Sequence, residues 1–255
     1  MNQNWNAEKY SSGFSFVYKY GNDVLNLIET EGVHDVIDLG CGTGILTKAL
    51  ADKGFNVKGL DSSEDMLKTA RANFPEIEFS QADATNFSVN EKVDLVFSNA
   101  VLHWIDKSKQ LSMMKCVYEA LRPGGQFVFE MGGRGNNVLI HSTLAEIFDR
   151  YGYKYVMPFY FPTIGEYAVM LEEAGFFVRY AILFDRPTPL EGDDGLYNWL
   201  KMFVNNPFKN VSSDDREKIL REAVELLREK LFYDGIWHSD YVRLRMRAIK
   251  SISRL

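Results

Sequence analysis

Three glycines at alternate positions follow an apolar segment near the start of the chain. Residues 33–39 include four apolar residues and predict a buried parallel strand. Gly40, Gly42 and Gly44 come directly after it, and residues 45–53 show a helical pattern. Glycines allow a sharp turn from strand to helix and let a ligand approach the backbone closely. The spacing therefore predicts a loop that binds a nucleotide or a nucleoside.

Two further features narrow the range of ligands that this loop could bind. A dinucleotide loop would place a third glycine at position 45, which is Ile45, and the G-K-[ST] sequence of a P-loop is absent. Asp38 precedes the glycines, and Asp61 follows Gly40 by 21 residues, at the end of a second apolar segment. A carboxylate at that point can accept hydrogen bonds from both hydroxyls of a ribose. The pattern favours a nucleoside ligand without a pyrophosphate.

The motifs resemble those of class I S-adenosylmethionine-dependent methyltransferases. Residues 38–44 (DLGCGTG) are similar to the first motif of that family. Segments similar to its second, third and fourth strands follow in order at residues 55–61, 77–84 and 93–100, and residues 121–125 resemble the turn before its fifth strand. The resemblance implies that S-adenosyl-L-methionine is the cofactor and S-adenosyl-L-homocysteine the product.

The resemblance also implies which residues contact the cofactor. Asp61 would bind the ribose, Met66 would rest on the adenine ring, and Asp83 would contact the adenine amino group. Residues after the fourth strand would lie beside the sulfonium methyl. Met66 as a core residue and Asp83 as a solvated loop acid are the alternatives. The full set is Asp38, Gly40, Cys41, Gly42, Gly44, Asp61, Ser62, Met66, Asp83, Ala84, Asn99 and Ala100.

Other residues are candidates for the side of the site that binds the methyl acceptor. His103 could act as a general base, because histidine titrates near neutral pH, or it could be a packing residue. Arg134 is flanked by glycines after the fifth strand and could bind a carboxylate in a bidentate manner, or it could be solvated. Tyr10, Trp104 and Trp199 are candidate aromatic contacts for the substrate.

The elements that must position these residues alternate between strand and helix patterns from residue 33 to about residue 131. Strands are also predicted at 176–184 and at 241–250, the latter with one solvated face. The resemblance implies an α/β fold: a Rossmann-like, seven-stranded, mostly parallel sheet of order 3-2-1-4-5-7-6 with an antiparallel last strand. We expect one domain over residues 1–255, with N-terminal lid helices in 1–31 and helical, substrate-side insertions at 132–161 and 193–232.

Composition excludes several classes of protein. The net charge of −6 argues against nonspecific nucleic-acid binding. Cys41 and Cys116, the two cysteines, indicate neither a disulfide framework nor a metal site. Residues 1–10 are polar, and the sequence has no apolar segment long enough to span a membrane, so we expect a cytoplasmic protein with a small-molecule substrate.

The whole pattern resembles the group that contains trans-aconitate and malonyl carrier-protein methyltransferases, which methylate a carboxylate oxygen. A carboxylate is ionised at neutral pH and needs no strong base. The loop after the fourth strand also lacks the [N/D/S]-P-P-[Y/F/W] sequence of enzymes that methylate nucleobase or glutamine nitrogens. Methylation of a phenol, an amine or a carbon acid is the alternative. A nicotinamide-dependent oxidoreductase, disfavoured by Ile45, and a noncatalytic S-adenosylmethionine-binding regulatory module are the other classes.

Overall fold

The apolar segments form one twisted sheet in the computed structural model, which describes residue 21 and residues 23–251. The five strands of the first half run parallel to one another. Their bounds are β1 Asp35–Leu39, β2 Asn56–Asp61, β3 Glu78–Gln81, β4 Val93–Asn99 and β5 Leu121–Gly132. Three further strands are β6 Phe176–Leu190, β7 Phe232–Tyr233 and β8 Ile236–Lys250.

The order of the strands is β3-β2-β1-β4-β5-β8-β6, and the two-residue β7 pairs only with β8. The last strand, β8, is antiparallel to both β5 and β6. This confirms the expected order and the antiparallel final strand. Because β7 adds a short hairpin before it, the strand that is seventh in the expected order is β8 here.

Seven helices of the described residues are α1 Ile45–Asp52, α2 Glu64–Asn73, α3 Gln110–Ala120, α4 Val138–Arg150, α5 Ile164–Glu173, α6 Gly195–Phe203 and α7 Ser213–Leu231. Short 3₁₀ helices cover Leu102–Trp104, Lys107–Lys109 and Asn206–Asn210. Ser63 caps α2 by accepting a hydrogen bond from the Met66 amide, and Thr163 forms a capping box with Glu166 at α5. None of the helices within the described ranges is long and apolar enough to cross a membrane.

The last two long strands differ from the prediction. β6 continues six residues beyond Phe184, and β8 begins five residues before Tyr241. The predicted solvated face of β8 is wrong: Arg243 and Arg245 expose only 8% and 13% of their side chains. Alternation along a strand shows which residues share a face, but it does not show whether that face is buried. Here Arg243 and Arg245 are largely buried because they pair with the carboxylate of Glu130 on β5.

The additions to the sheet form a hydrophobic core of their own. Ile140 and Phe148 of α4 pack with Trp199 of α6, Leu220 of α7 and Trp237 of β8, all buried. The segments 132–161 and 193–232 therefore contribute to the same packed layer beside the sheet.

The described part of segment 1–31 packs against the sheet. Val24, Leu25 and Ile28 are buried in a cluster that includes Val36 of β1 and Leu95 of β4. Residues 1–20 and 22, and with them Tyr10, lie outside the described residues.

Candidate active site

A large cleft lies over the carboxyl ends of the parallel strands. It encloses about 1260 Å³ of non-protein space, part of it open solvent. Open α/β sheets bind their ligands at this edge. The structure brings most of the predicted site residues to its lining: Asp38, Gly40, Cys41, Gly42, Asp61, Ser62, Met66, Asn99, Ala100, His103, Trp104 and Trp199.

The glycine loop is shaped by close packing on one side and open space on the other. Gly40 has φ 78°, and a Cβ there would lie 2.3 Å from the Val101 side chain. Gly42 also has positive φ, but a Cβ on it would meet no atom within 4 Å. Gly40 thus allows the loop to pack against Val101, and Gly42 leaves the cleft open. Gly44 lies outside the lining and packs against Phe79 at the start of α1.

Asp61 fastens this loop to the end of β2. Its carboxylate oxygens accept hydrogen bonds from the amides of Gly42, at 2.9 Å, and Ser63, at 2.8 Å. Burial raises the pKa of Asp61, and these amide hydrogen bonds oppose the shift. The Ser62 amide is a further donor, and because a carboxylate has about four acceptor positions, these amides do not saturate it.

Asp38 is the second buried acid of the cleft and is 2% exposed. Its Oδ2 accepts a hydrogen bond of 2.7 Å from the Thr47 hydroxyl. Burial, with a smaller contribution from the charge of Asp61, raises the pKa of Asp38 to about 7. A buried carboxylate with only this one side-chain donor among the described residues is well suited to receive a ligand cation.

Besides Gly44, two predicted cofactor contacts lie outside the cleft lining. Ala84 is buried in the core cluster that contains Leu39 of β1. Asp83 is exposed, and its Oδ1 accepts hydrogen bonds from the amide and hydroxyl of Thr85, both at 2.8 Å. The amide hydrogen bond is the main reason that the pKa of Asp83 is lowered. Asp83 therefore stabilises its own turn in this structure.

The residue directly after β4 lines the cleft and has a strained backbone conformation. Ala100 has φ 60°, which is unfavourable for a residue with a Cβ, and its amide donates to the Glu130 carbonyl at 2.8 Å. This hydrogen bond joins the ends of β4 and β5. It turns the following 3₁₀ helix, which carries His103 and Trp104, over the cleft.

His103 has a defined protonation state. Its Nδ1 accepts a hydrogen bond of 3.2 Å from the Gly132 amide. Since a backbone N–H can only donate, Nδ1 carries no proton, and the proton of the neutral ring is on Nε2. Burial, followed by the charge of Arg243, lowers the pKa of His103 well below 6.5. His103 is thus a neutral side chain that offers an N–H donor.

Aromatic side chains form an apolar wall of the cleft. Phe159 lies edge-on to Trp104 with ring centroids 4.5 Å apart and stacks on Phe161 at 5.3 Å. On α6, Trp199 donates to the Tyr241 hydroxyl at 2.7 Å. This hydrogen bond fixes α6 to β8.

Opposite charges meet at one buried carboxylate of the lining. Glu130 is 1% exposed and accepts hydrogen bonds from Arg186 at 2.6 and 2.9 Å, from Arg243 at 3.1 Å, and from Arg245 at 2.7 and 2.9 Å. Burial would raise the pKa of Glu130, but the arginines, Arg243 foremost, outweigh it and lower that pKa. Among the described residues, three guanidinium groups bind this one carboxylate, a formal excess of two positive charges within the group. Arg186, Arg243 and Glu130 all line the cleft.

Arg134, the arginine singled out from the sequence, is exposed and lies outside the lining; its amide donates to the Pro162 carbonyl. The sequence interpretation missed Glu130, Arg186, Asn136 and Asn137 as cleft residues. It placed Arg243 only on the strand predicted at 241–250. No sequence pattern specified the antiparallel pairing of Glu130 with Arg245, and Arg186 lies beyond the predicted end of β6.

The fold and the site together define a class of protein. The strand order with an antiparallel β8, the glycine loop after β1 and the buried acid after β2 are the features of class I S-adenosylmethionine-dependent methyltransferases.

Comparisons with known proteins agree with this class. A family model described as a methyltransferase domain matches residues 36–125. The chain is 35% identical to an uncharacterized methyltransferase of Schizosaccharomyces pombe over 96% of this chain and 98% of that protein. It is 31% identical to a trans-aconitate 2-methyltransferase of Deinococcus radiodurans over 77% of this chain and 79% of that enzyme. A solved structure from Bacillus halodurans described as a methyltransferase has a TM-score of 0.65, with 20% identity, over 91% of this chain and 99% of its own.

The chain therefore belongs to the S-adenosylmethionine-dependent methyltransferases, and S-adenosyl-L-methionine is its cofactor.

Proposed function

We propose that this enzyme transfers the methyl group to a carboxylate oxygen of a small, trans-aconitate-like acid. The observation that carries the proposal is the excess positive charge of Arg186, Arg243 and Arg245 around Glu130. In a buried cleft this charge attracts an anionic acceptor and repels a cationic amine. The 31% identity to a trans-aconitate 2-methyltransferase supports the same class of acceptor.

The other half of the cleft fits the cofactor. Asp38 would bind the ammonium of the methionine moiety, Asp61 the ribose hydroxyls, and Met66 the adenine ring. The buried carboxylate of Asp38, the remaining acceptor positions of Asp61 and the open space beside Gly42 support this assignment. When bound, S-adenosyl-L-methionine supplies an electrophilic methyl group on a positively charged sulfur.

The neutral state of His103 agrees with an acceptor that is already ionised. Its Nδ1 is occupied by the Gly132 amide and its Nε2 carries the proton, so neither nitrogen is free to act as a base. A phenol or a carbon acid would need such a base, whereas a carboxylate needs alignment and exclusion of water. We infer that His103 donates a hydrogen bond that orients the acceptor, beside the aromatic wall of Trp104 and Phe159.

A product assay tests the proposal. S-adenosylhomocysteine release is measured with trans-aconitate, citrate and other small acids, beside an amine and a phenol. We expect release with one or more acids and with neither of the others. Arg186→Gln should lower acid turnover at least about ten-fold while S-adenosylhomocysteine binding is kept, and Arg221→Gln, an exposed control on α7, should change neither. Turnover of the amine or the phenol alone would refute the proposal.

A further inference from the structure

Gly132, at the end of β5, lies next to several residues that line the acceptor half of the cleft. It pairs with Arg243 across the β5–β8 ladder, and its amide donates to His103. A Cβ on Gly132 would lie 2.4 Å from the Phe161 ring and 3.2 Å from Cγ of Asn136. Residues directly opposite each other in a ladder point to the same face. Arg243 and Asn136 therefore lie on one side of the sheet, next to His103.

Asn136 is buried, 4% exposed, and lines the cleft. Its Oδ1 accepts a hydrogen bond of 3.0 Å from the Val242 amide. Since a backbone amide can only donate, the atom facing it must be the oxygen, and the NH₂ group points away from β8. That NH₂ group makes no hydrogen bond to another residue of the described chain. Asn136 thus offers two donors with a fixed orientation.

Arg243 also keeps donors available. Its Nε donates to Glu130, which holds the guanidinium plane in place, and the residue is 7% exposed. Within residues 23–251 its two Nη atoms make no hydrogen bond. A guanidinium fixed at one edge can present the other N–H groups to a carboxylate, with little further loss of side-chain entropy.

We propose that Arg243 and Asn136 form a subsite for a second carboxylate of the acceptor, one that is not methylated. This proposal rests on the proposed function and adds to it that the preferred acceptors carry two or more carboxylates. The reacting carboxylate would lie towards His103 and Ala100, and the subsite would set which oxygen is presented. A neutral or cationic group in the subsite would leave these buried donors unpaired, so acids with one carboxylate would bind more weakly.

Calorimetric titration of the protein bound to S-adenosylhomocysteine tests the subsite without turnover. The probes are tricarballylate, with three carboxylates, and butyrate, with one. We expect wild-type protein to bind tricarballylate at least about ten-fold more tightly than butyrate. Asn136→Asp and Arg243→Gln should each reduce that ratio at least about five-fold and leave the affinity for S-adenosylhomocysteine unchanged. Asn73→Asp, at the exposed end of α2, is the matched control and should keep the ratio.

The outcomes separate this proposal from the proposed function. Absence of tricarballylate binding, a wild-type ratio near one, or an unchanged ratio in both variants would overturn the subsite. If tricarballylate binding depends on Asn136 and Arg243 but no acid is methylated, the acceptor chemistry proposed above is wrong and the subsite stands. If acids are methylated but the ratio is independent of both residues, the subsite alone is wrong.

Discussion

Replacing Asp38 with asparagine removes a buried negative charge and keeps an oxygen that can accept the hydrogen bond from the Thr47 hydroxyl. If the carboxylate of Asp38 binds the ammonium of the methionine moiety, cofactor affinity depends on its ionised fraction. Because the pKa of Asp38 is about 7, its ionised fraction changes most steeply near neutral pH. Asp38→Asn should therefore bind the cofactor weakly at every pH, and the wild-type protein should bind it weakly only when Asp38 is protonated.

The magnitude follows from this pKa. With a pKa of about 7, Asp38 is about 9% ionised at pH 6.0 and about 76% ionised at pH 7.5. A ligand that binds only the ionised form should gain about eight-fold in affinity over that interval, or about 1.3 kcal/mol. The affinity rises with pH because the ligand competes with a proton for the same carboxylate.

The stability of the ligand-free protein should change with pH in the opposite direction to cofactor affinity. Burial raises the pKa of Asp38 above its ordinary value of 3.8, so between about pH 4 and 7 the folded protein holds this proton more strongly than the unfolded chain does. The contribution of Asp38 to stability is thus present at low pH and is lost as pH rises through 7. In the absence of ligand, Asp38→Asn should melt at a higher temperature than the wild type at pH 7.5.

Calorimetric titration with S-adenosylhomocysteine at pH 6.0 and 7.5, together with thermal unfolding of the free proteins, checks both expectations. Asp149→Asn replaces an exposed aspartate of α4 and should leave both results unchanged. Wild-type affinity that is equal at the two pH values, or full affinity in Asp38→Asn, would refute the assignment of the ammonium to Asp38.

Three further changes probe the acceptor half of the cleft. His103→Ala should lower kcat by less than about ten-fold, with no histidine titration in kcat between pH 6 and 8, and a loss above about a thousand-fold would identify a base instead. Gly132→Ala would force the Phe161 ring and the Asn136 side chain to move, so acceptor KM should rise while S-adenosylhomocysteine affinity is kept. Glu130→Gln should lower the free energy of unfolding by about 3–5 kcal/mol in chemical denaturation at pH 7.5, because three buried guanidinium groups lose their counter-charge. Since the pKa of Glu130 is lowered, the wild-type contribution is present above about pH 4.5 and is lost as pH falls below it; a loss under 1 kcal/mol would contradict this account.

The residues of the proposed cofactor half of the cleft could be predicted to lie together because their signals are local. The glycine loop and Asp38 lie within seven consecutive residues, and Asp61 ends the next apolar segment. β1, β2 and β4 carry their cleft residues at or just after their carboxyl ends, so these residues meet at one edge of the sheet although the strands lie there in a different order from the chain. The fold followed from the same alternation of strand and helix patterns.

The acceptor half could not be predicted in the same way, because its charges meet only through tertiary structure. Glu130 lies 56 residues from Arg186 and 113 from Arg243. Their meeting depends on the lengths of β6 and β8 and on an antiparallel register that periodicity does not specify. Arg134 was a candidate because of its glycine neighbours, a signal of local flexibility that carries no information about which charges a cleft buries.

The most direct test of the central claim is mass-spectrometric identification of the product formed from S-adenosyl-L-methionine and a mixture of trans-aconitate, a primary amine and a phenol. This account predicts a methyl ester of the acid, which mild alkali returns to the free carboxylate. A methylated amine or phenol, with the acid unchanged, would contradict it and would show that the buried arginines around Glu130 do not select the acceptor.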